Sequence, residues 1–496
     1  MNTQLARLCV VSLLLLTALV VATTYWQSWA VGGLNDRQDN AVEQVSQLTI
    51  DRGQIVTLNG TRLAVNKHKR VSGATFYSRR YPQNGLAAQV VGYSTGGGTR
   101  TGLEESLDDY LTGANTNLSN AFQRALDKLG GGTVKGNKVV LTLKPAAQAL
   151  ALKDLAGRCG AVVAMNPHTG QVYVMASSPT YNENLMFQKA GYAKILRTKG
   201  QCGDASALVN NATAGLYTPG STFKLVTTAA ALDTGTYTPT SRFFDPGYCV
   251  EYGKKVYNST APDSPSAHEQ FGHVTLAEAL QHSINAIYCK VGMRLGAKTI
   301  LEYARRFGFY STPPLETPAG ERAPSGLYNN GKLYWPKDFN AVDPGRLAFG
   351  QERMLTTPMQ MLLVAATIAN GGEVPRPYVV QRIVGPDGSI VSSTHTQTLG
   401  RAIKTQTAAE LTQMMISVVQ AGTGTAAQIP GVQVAGKTGT AETAQNHVYN
   451  AWFVSYAPAD NPRVAVAVVV EKQPNGFGGS IAAPIAKDVM EALLRG

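Results

Sequence analysis

Three short runs hold groups that can do covalent chemistry together. Ser221 and Lys224 stand three apart in Tyr217-Thr218-Pro219-Gly220-Ser221-Thr222-Phe223-Lys224. A serine hydroxyl is a weak nucleophile until a neighbouring base takes its proton. An amine can do so once burial or a nearby cation holds it neutral. Ser283 and Asn285 lie in Gln281-His282-Ser283-Ile284-Asn285, which contains the sequence's only S-x-N. A second hydroxyl can relay a proton to a leaving amine, and an amide can orient a peptide. Lys437-Thr438-Gly439-Thr440 adds a cation and hydroxyls for a carboxylate. Its glycine is expected to leave room for an extended substrate beside the backbone. Each run alone has an ordinary reading: a capping serine, a polar helix face, an exposed edge strand. Together and in this order they point to serine acyl transfer.

The elements around these runs must position them. Pro219-Gly220 breaks the chain, and residues 221–232 then read as an Ala/Thr-rich helix. Ser221 would stand at its N-terminus, with Lys224 one turn later on the same face. Free N–H groups there offer donors to a developing oxyanion. Residues 281–285 fall in a helical stretch, and Lys437-Thr438-Gly439-Thr440 ends a strand pattern over 432–440. Residues 161–165 and 172–176 read as a hairpin around the turn 166–170. Further strands are expected over 451–456 and 464–470, and helices over 146–155 and 484–494. Strands at both ends of a segment, with helices between, predict one sheet assembled from both halves. No internal repeat interrupts the pattern.

Composition narrows the setting. A chain of 496 residues suggests several domains at about 100–200 residues each. Charged residues make up only 15%, below the roughly 25% of an average soluble domain. The net charge is +12, and residues 51–100 supply +7 of it. Arg52, Arg62, Lys67, Lys69, Arg70, Arg79, Arg80 and Arg100 stand there against Asp51 alone. Such a stripe suits anionic headgroups or plain solvent. No zinc-finger spacing, aromatic RNA-binding motif or basic heptad accompanies it, so nucleic acid is not the expected partner.

No charged residue falls between Leu8 and Asn35, and residues 8–22 are nearly all apolar. Tyr25, Trp26 and Trp29 follow, as amphipathic rings do at a headgroup boundary. Residues 8–29 reach the length of about 20 residues needed for one span. With Arg7 and the chain amine in front, the N-terminus is expected inside and the rest outside. The competing reading is a cleaved signal peptide at Ser28-x-Ala30, a site far beyond the apolar run. Either way, residues 31–496 are exported. Ala41, Val42, Val45 and Leu48 give residues 31–50 the stripe of an amphipathic stalk. Residues 51–145 mix short β-rich runs with glycines, among them Ser94-Thr95-Gly96-Gly97-Gly98 and Gly130-Gly131-Gly132. The expected division is 1–30 for the N-terminus and anchor, 31–150 for a small membrane-proximal domain, and 151–496 for the catalytic domain.

Cys9 lies inside the apolar run. Cys159, Cys202, Cys249 and Cys289 lie outside it, free to form disulfides in three pairings or to stay as buried thiols. Neither the cysteines nor the seven histidines have metal-ligand spacing. The reading needs no metal and no cofactor.

S-x-x-K, S-x-N and K-T-G in this order resemble the penicillin-binding protein and serine β-lactamase superfamily. The resemblance covers most of residues 155–496. It includes the strand pair around Gly160-Ala161-Val162-Val163 and Met175-Ala176-Ser177-Ser178-Pro179, and the late segment Leu347-Ala348-Phe349-Gly350-Gln351. Asp51-Arg52-Gly53-Gln54-Ile55 and Gly102-Leu103-Glu104-Glu105-Ser106-Leu107 are similar to the membrane-proximal motifs of class B penicillin-binding proteins. Length and N-terminal domain most resemble the actinobacterial penicillin-binding protein A group.

The resemblance implies an α/β (α+β) transpeptidase domain with a central antiparallel sheet flanked by helices. A small β-rich domain and one transmembrane helix would precede it. It implies Ser221 as acylated nucleophile, Lys224 as its base and Ser283 as proton relay. Lys437 would hold their proton balance. Asn285, Thr438, Gly439 and Thr440 would contact substrate, with the N–H groups of Ser221 and Thr440 as oxyanion donors. The implied activity is D,D-transpeptidation of peptidoglycan stem peptides, blocked by β-lactams. Implied partners are a separate multi-pass glycan polymerase and division or elongation proteins of the inner membrane. The alternatives are a D,D-carboxypeptidase or β-lactamase-like hydrolase, a β-lactam sensor, and a non-catalytic scaffold.

Overall fold

The computed structural model describes residues 2–25, 47–71, 73–96, 98–114, 133–203, 206–258, 269–443 and 447–495. Most of the stalk (31–46), Gly130-Gly131-Gly132, Trp26, Trp29 and Ser28-x-Ala30 lie outside them. Helix α1 (Asn2–Tyr25) contains the apolar run. Its Arg7–Tyr25 segment has a mean hydropathy of 2.3 and buries nothing against the rest of the chain. Those are the length and polarity of one membrane span.

Beyond it come β1 (Ile55–Thr57), β2 (Arg62–Val71), β3 (Ala74–Arg80) and β4 (Lys138–Leu141). Helix α2 (Pro145–Leu155) starts on the proline, whose fixed φ and missing N–H suit a first helical position. Next are β5 (Gly160–Met165), β6 (Val172–Ser178), α3 (Lys224–Asp233), β7 (Arg242–Asp245), β8 (Tyr248–Glu251), β9 (Lys254–Tyr257) and β10 (Gly272–Thr275). Then follow α4 (Leu276–Gln281), α5 (Asn285–Arg306), α6 (Pro358–Ala369), β11 (Val380–Val384), β12 (Ile390–Ser393) and α7 (Thr405–Ala421). The chain closes with β13 (Ala435–Glu442), β14 (Val448–Ala457), β15 (Val464–Pro474) and α8 (Gly478–Arg495).

The predicted sheet from both halves is present. Its order is β13-β14-β15-β5-β6, every pair antiparallel. Its strands are rich in alanine and valine because both faces are covered. Val162, Val466 and Val468 meet Ala151 and Leu155 of α2 and Ile485 and Val489 of α8 on one face. Val163, Ala465 and Ala467 join the larger core with residues of α3, α5 and α6 on the other. Helix α8 begins six residues before the expected start at Pro484. Its first residue, Gly478, lies so close to β13 and β14 that a Cβ would fall 2.2 Å from Trp452 O and 2.4 Å from Gly439 O.

A second sheet runs β12-β11-β4-β1-β2-β3, with β1 and β4 parallel and the other pairs antiparallel. Residues 380–393 thus complete a sheet whose remaining strands lie before residue 142. The basic window also divides, contrary to a single stripe. Arg52 and Arg79 are buried and paired with Glu104, and Arg100 pairs with Asp108. Arg62, Lys67, Lys69, Arg70 and Arg80 remain exposed on β2 and β3. Cys159 bonds to Cys202, and Cys249 to Cys289.

Candidate active site

Ser221 does not open an α-helix as the pattern predicts. It is second in a 3-10 turn, Gly220–Phe223, and α3 begins at Lys224. Several contacts fix the turn. Gly220 takes φ +52°, and a Cβ there would lie 3.0 Å from Thr440 O and 3.0 Å from Ala441 Cβ. Trp452 Nε1, from β14, donates to Thr218 O at 3.0 Å. Phe223 packs edge-on against Phe309 in the core. Ser221 is left partly exposed on a pocket wall while Lys224 goes fully under.

Ser283 and Asn285 also occupy a break, not the continuous helix expected. Helix α4 ends at Gln281 and α5 starts at Asn285. Ser283 N donates to Leu280 O at 3.2 Å and Ile284 N to Ala279 O at 2.9 Å, the paired bonds of a Schellman cap. That cap requires a left-handed residue, and Ser283 supplies it with φ +61°. Glycine usually stands in such a position, and any side chain there costs about 1–2 kcal/mol. The strain sets the Ser283 hydroxyl between two lysines.

Lys224 Nζ donates to Ser283 O at 2.6 Å and Asn285 Oδ1 at 2.7 Å, and lies 3.2 Å from Ser283 Oγ. Lys437 Nζ donates to the same Oγ at 2.9 Å and to Thr438 O at 3.0 Å. Both lysines are fully buried, and among the described residues neither has an acidic partner. Burial, then the nearby Lys437 charge, pushes the Lys224 ammonium well below its ordinary range. Burial alone brings Lys437 down to about 7. A neutral amine is the form that accepts a proton. Ser221 Oγ makes no hydrogen bond among the described residues, and such contacts often tighten only when substrate arrives.

The Lys-Thr-Gly-Thr run lies within β13 and not at its end, since pairing with β14 continues to Glu442↔Tyr449. Gly439 has a different reason for being small from the one expected. A Cβ there would meet Thr222 Cγ2 at 2.8 Å, Pro219 O at 3.0 Å and Trp452 Cβ at 3.0 Å. The glycine therefore lets the Ser221 turn pack onto the sheet, and it does not line the pocket. Thr438 and Thr440 do line it, with Ser221, Ser283 and Asn285, around a volume of about 590 Å³ walled by Phe271, Phe349 and Phe477. All eight singled-out residues converge here, with Lys224, Lys437 and Gly439 behind the wall.

Three contributors escape a motif reading. Thr423 Oγ1 lies 2.6 Å from Thr438 Oγ1 and orients it. Tyr288 holds its ring centroid 5.0 Å from Lys224 Nζ. Asn258 lines the same pocket from a remote loop. Tyr288, three residues after Asn285 on one helix, was reachable from helical spacing. The other two come from distant segments with no local signal.

The geometry has close relatives. Residues 160–491 match the penicillin binding protein transpeptidase domain, and residues 52–139 match the penicillin binding protein A dimerisation domain. The chain is 34% identical to peptidoglycan D,D-transpeptidase PbpA of Mycolicibacterium smegmatis, over 100% of this chain and 99% of that one. It is 28% identical to peptidoglycan D,D-transpeptidase MrdA of Acinetobacter baumannii, over 84% and 66% respectively. Among solved structures, it resembles penicillin-binding protein A from M. tuberculosis as a ceftriaxone acyl-enzyme. There the TM-score is 0.79 and the identity 33%, covering 91% of this chain and 100% of that one. A serine beside two buried lysines that have no ion-pair partner among the described residues, matched over this length, means that the chain belongs to the penicillin binding protein transpeptidase family.

Proposed function

We propose that the protein is a peptidoglycan D,D-transpeptidase, anchored by one N-terminal span with its catalytic domain outside the cell. The observation that carries this reading is the meeting of Lys224 and Lys437 on Ser283 Oγ in the pocket that Ser221 lines, with no ion pair to either lysine among the described residues. Ser221 Oγ attacks the penultimate D-Ala carbonyl carbon of a stem peptide, and Lys224 takes the hydroxyl proton. The Ser221 and Thr440 N–H groups face the oxyanion. The bond to the terminal D-Ala nitrogen then breaks. The Lys224 proton passes through Ser283 Oγ to that leaving amine, while Lys437 keeps Ser283 oriented. Thr438 and Thr440 hold the substrate carboxylate, and Asn285 its peptide. An amine of a neighbouring stem attacks the ester, loses a proton back along the relay, and frees Ser221. β-Lactams enter the same path and stop at the acyl-enzyme.

Residues 52–139, between the span and the catalytic domain, match a dimerisation domain, which supports a partnership with a separate multi-pass glycan polymerase. Labelling with a fluorescent penicillin tests the reading. The wild type takes up one stable label and Ser221→Ala takes up none. A wild type that stays unlabelled, or a variant that labels equally, overturns it. Rapid loss of label instead favours a hydrolase.

A further inference from the structure

We infer that Asn258, held by the buried carboxylate of Asp245, is a positioning residue for this reaction. It supplies the missing N-cap of α5 and so fixes Ser283 and Asn285 against Lys224. The inference rests on the Ser221 reading above.

Helix α5 begins two residues after Ser283, with Asn285 as its first residue. A helix N-terminus has unsatisfied N–H groups, which a Ser, Thr, Asp or Asn side chain usually caps from the preceding position. Here the capping position holds Ile284, which has no acceptor. Asn258 fills the role from the end of β9: its Oδ1 accepts from Ala286 N at 2.9 Å. Its amide cannot turn over. Asn258 Nδ2 donates to Asp245 Oδ2 at 2.7 Å and to Glu269 O at 2.9 Å, and a backbone carbonyl can only accept. Asp245 is itself fully buried and accepts from Gly247 N at 2.8 Å and Phe271 N at 3.2 Å.

The same loop grips the helix at two neighbouring points. Asn285 Nδ2 donates to Tyr257 O at 3.3 Å. One turn further on, Cys289 is bonded to Cys249 of β8. The β8–β9 hairpin thus holds the first two turns of α5 by an acceptor, a carbonyl and a covalent bond. The residue it steers most directly is Asn285, whose Oδ1 takes a hydrogen bond from Lys224 Nζ.

The test measures second-order acylation of full-length protein by a fluorescent penicillin across pH, per labelled site. Asn258→Ala is expected to slow acylation about ten- to a hundredfold, the scale of a small misplacement of catalytic groups. Label still goes to Ser221. Asn258→Asp gives the sharper readout. Its carboxyl faces Asp245, so the pair holds one proton in common up to a raised pKa. Below that pKa the shared proton restores the bond and Oδ1 still accepts from Ala286 N. Above it the two charges repel. This variant therefore loses rate as pH rises, where the wild type gains rate as its lysines lose protons. Glu269 and His282 also face this wall, and both proteins keep them, so the difference belongs to position 258.

A role in folding alone would lower the yield of active protein without reshaping the rate per site. Wild-type rates and an unchanged pH profile in both variants overturn the inference. If Asn258→Ala does not fold, the Asn258→Asp profile decides alone. A wild type that takes no label overturns the Ser221 reading first, and the reaction role of Asn258 with it.

Discussion

Two buried clusters of cations in this molecule have opposite chemistry. Beside the sheet that contains β1 to β4, Arg52 Nε and Arg79 Nε each lie 2.6 Å from Glu104, a residue with no exposed surface. Arg52 also pairs with Asp108, and Arg100 Nε reaches Asp108 at 3.0 Å. Burial would raise the Glu104 carboxyl, but Arg79 and Arg52 outweigh it and hold the group below its usual range. Every charge there has a partner, so every charge stays. At the active site, Lys224 and Lys437 are equally buried but donate to neutral oxygens, with no ion pair to either among the described residues. The cost of an unpaired buried charge there favours the neutral amine. Arginine cannot give up its proton and lysine can. The fold spends guanidinium groups on architecture and amines on chemistry.

The largest break in this comparison is Lys224→Arg. It keeps a cation of similar length but installs one that cannot act as base. Acylation by penicillin is expected to fall by about 10³-fold or more, within the range a positioned general base contributes. Near wild-type acylation would mean that the lysine serves as a charge and not as a base. The reciprocal break is Glu104→Gln. Removing one partner from a buried network leaves charge uncompensated, and the expected loss is about 3 kcal/mol of folding stability. Chemical denaturation should record that loss while acylation per folded molecule stays unchanged. A fall in both would tie the two regions together.

The pH dependence of stability separates the clusters further. Both hold a group whose folded pKa is depressed, so both make stability rise with pH, but in different windows. Glu104 contributes fully above the usual carboxyl range, and its share is lost on acidification as the unfolded chain takes up a proton first. Lys437 titrates at about 7 when folded and near 10.4 when unfolded. From about pH 7 upward the unfolded chain binds the extra proton, so stability increases through the alkaline window. Lys437→Met should remove the Lys437 share of that alkaline rise, leaving the share of Lys224, which burial also holds low, and the acid limb intact, as denaturation midpoints at successive pH values can check. An alkaline rise of undiminished size in Lys437→Met would assign the whole of it to other groups.

The sequence made the chemistry legible before the geometry. Ser221, Lys224, Ser283, Asn285 and Lys437 were identifiable by type and spacing, and the antiparallel sheet from both chain ends followed from its Val/Ala runs. Local shape was harder to read. Ser221 lies in a 3-10 turn and Ser283 in a left-handed cap, because contacts from Trp452 and the end of α4 override helical propensity. Gly439 serves the packing of Thr222 and Trp452, partners more than 200 positions away or on the next strand. The basic window misled in the same manner. Counting charges could not reveal that Arg52 and Arg79 point inward to Glu104, since pairing is set by tertiary contact and not by neighbours in sequence.

The hairpin of β2 and β3 offers a third case that sharpens the rule. Lys67, Lys69 and Arg70 are exposed and have no ion pair among the described residues. They are unpaired like Lys224 but solvated, so water supplies what Glu104 supplies to Arg52. Replacing all three with glutamine should change folding stability by under about 0.5 kcal/mol per substitution, the usual range at a surface position, and leave acylation unaltered. Removing three positive charges is thus expected to matter less than removing one buried acid. A large loss of stability would show that the hairpin cations are held by contacts in the folded chain. The distinction between paired and unpaired charge would then have to extend to the surface, where solvent should abolish it.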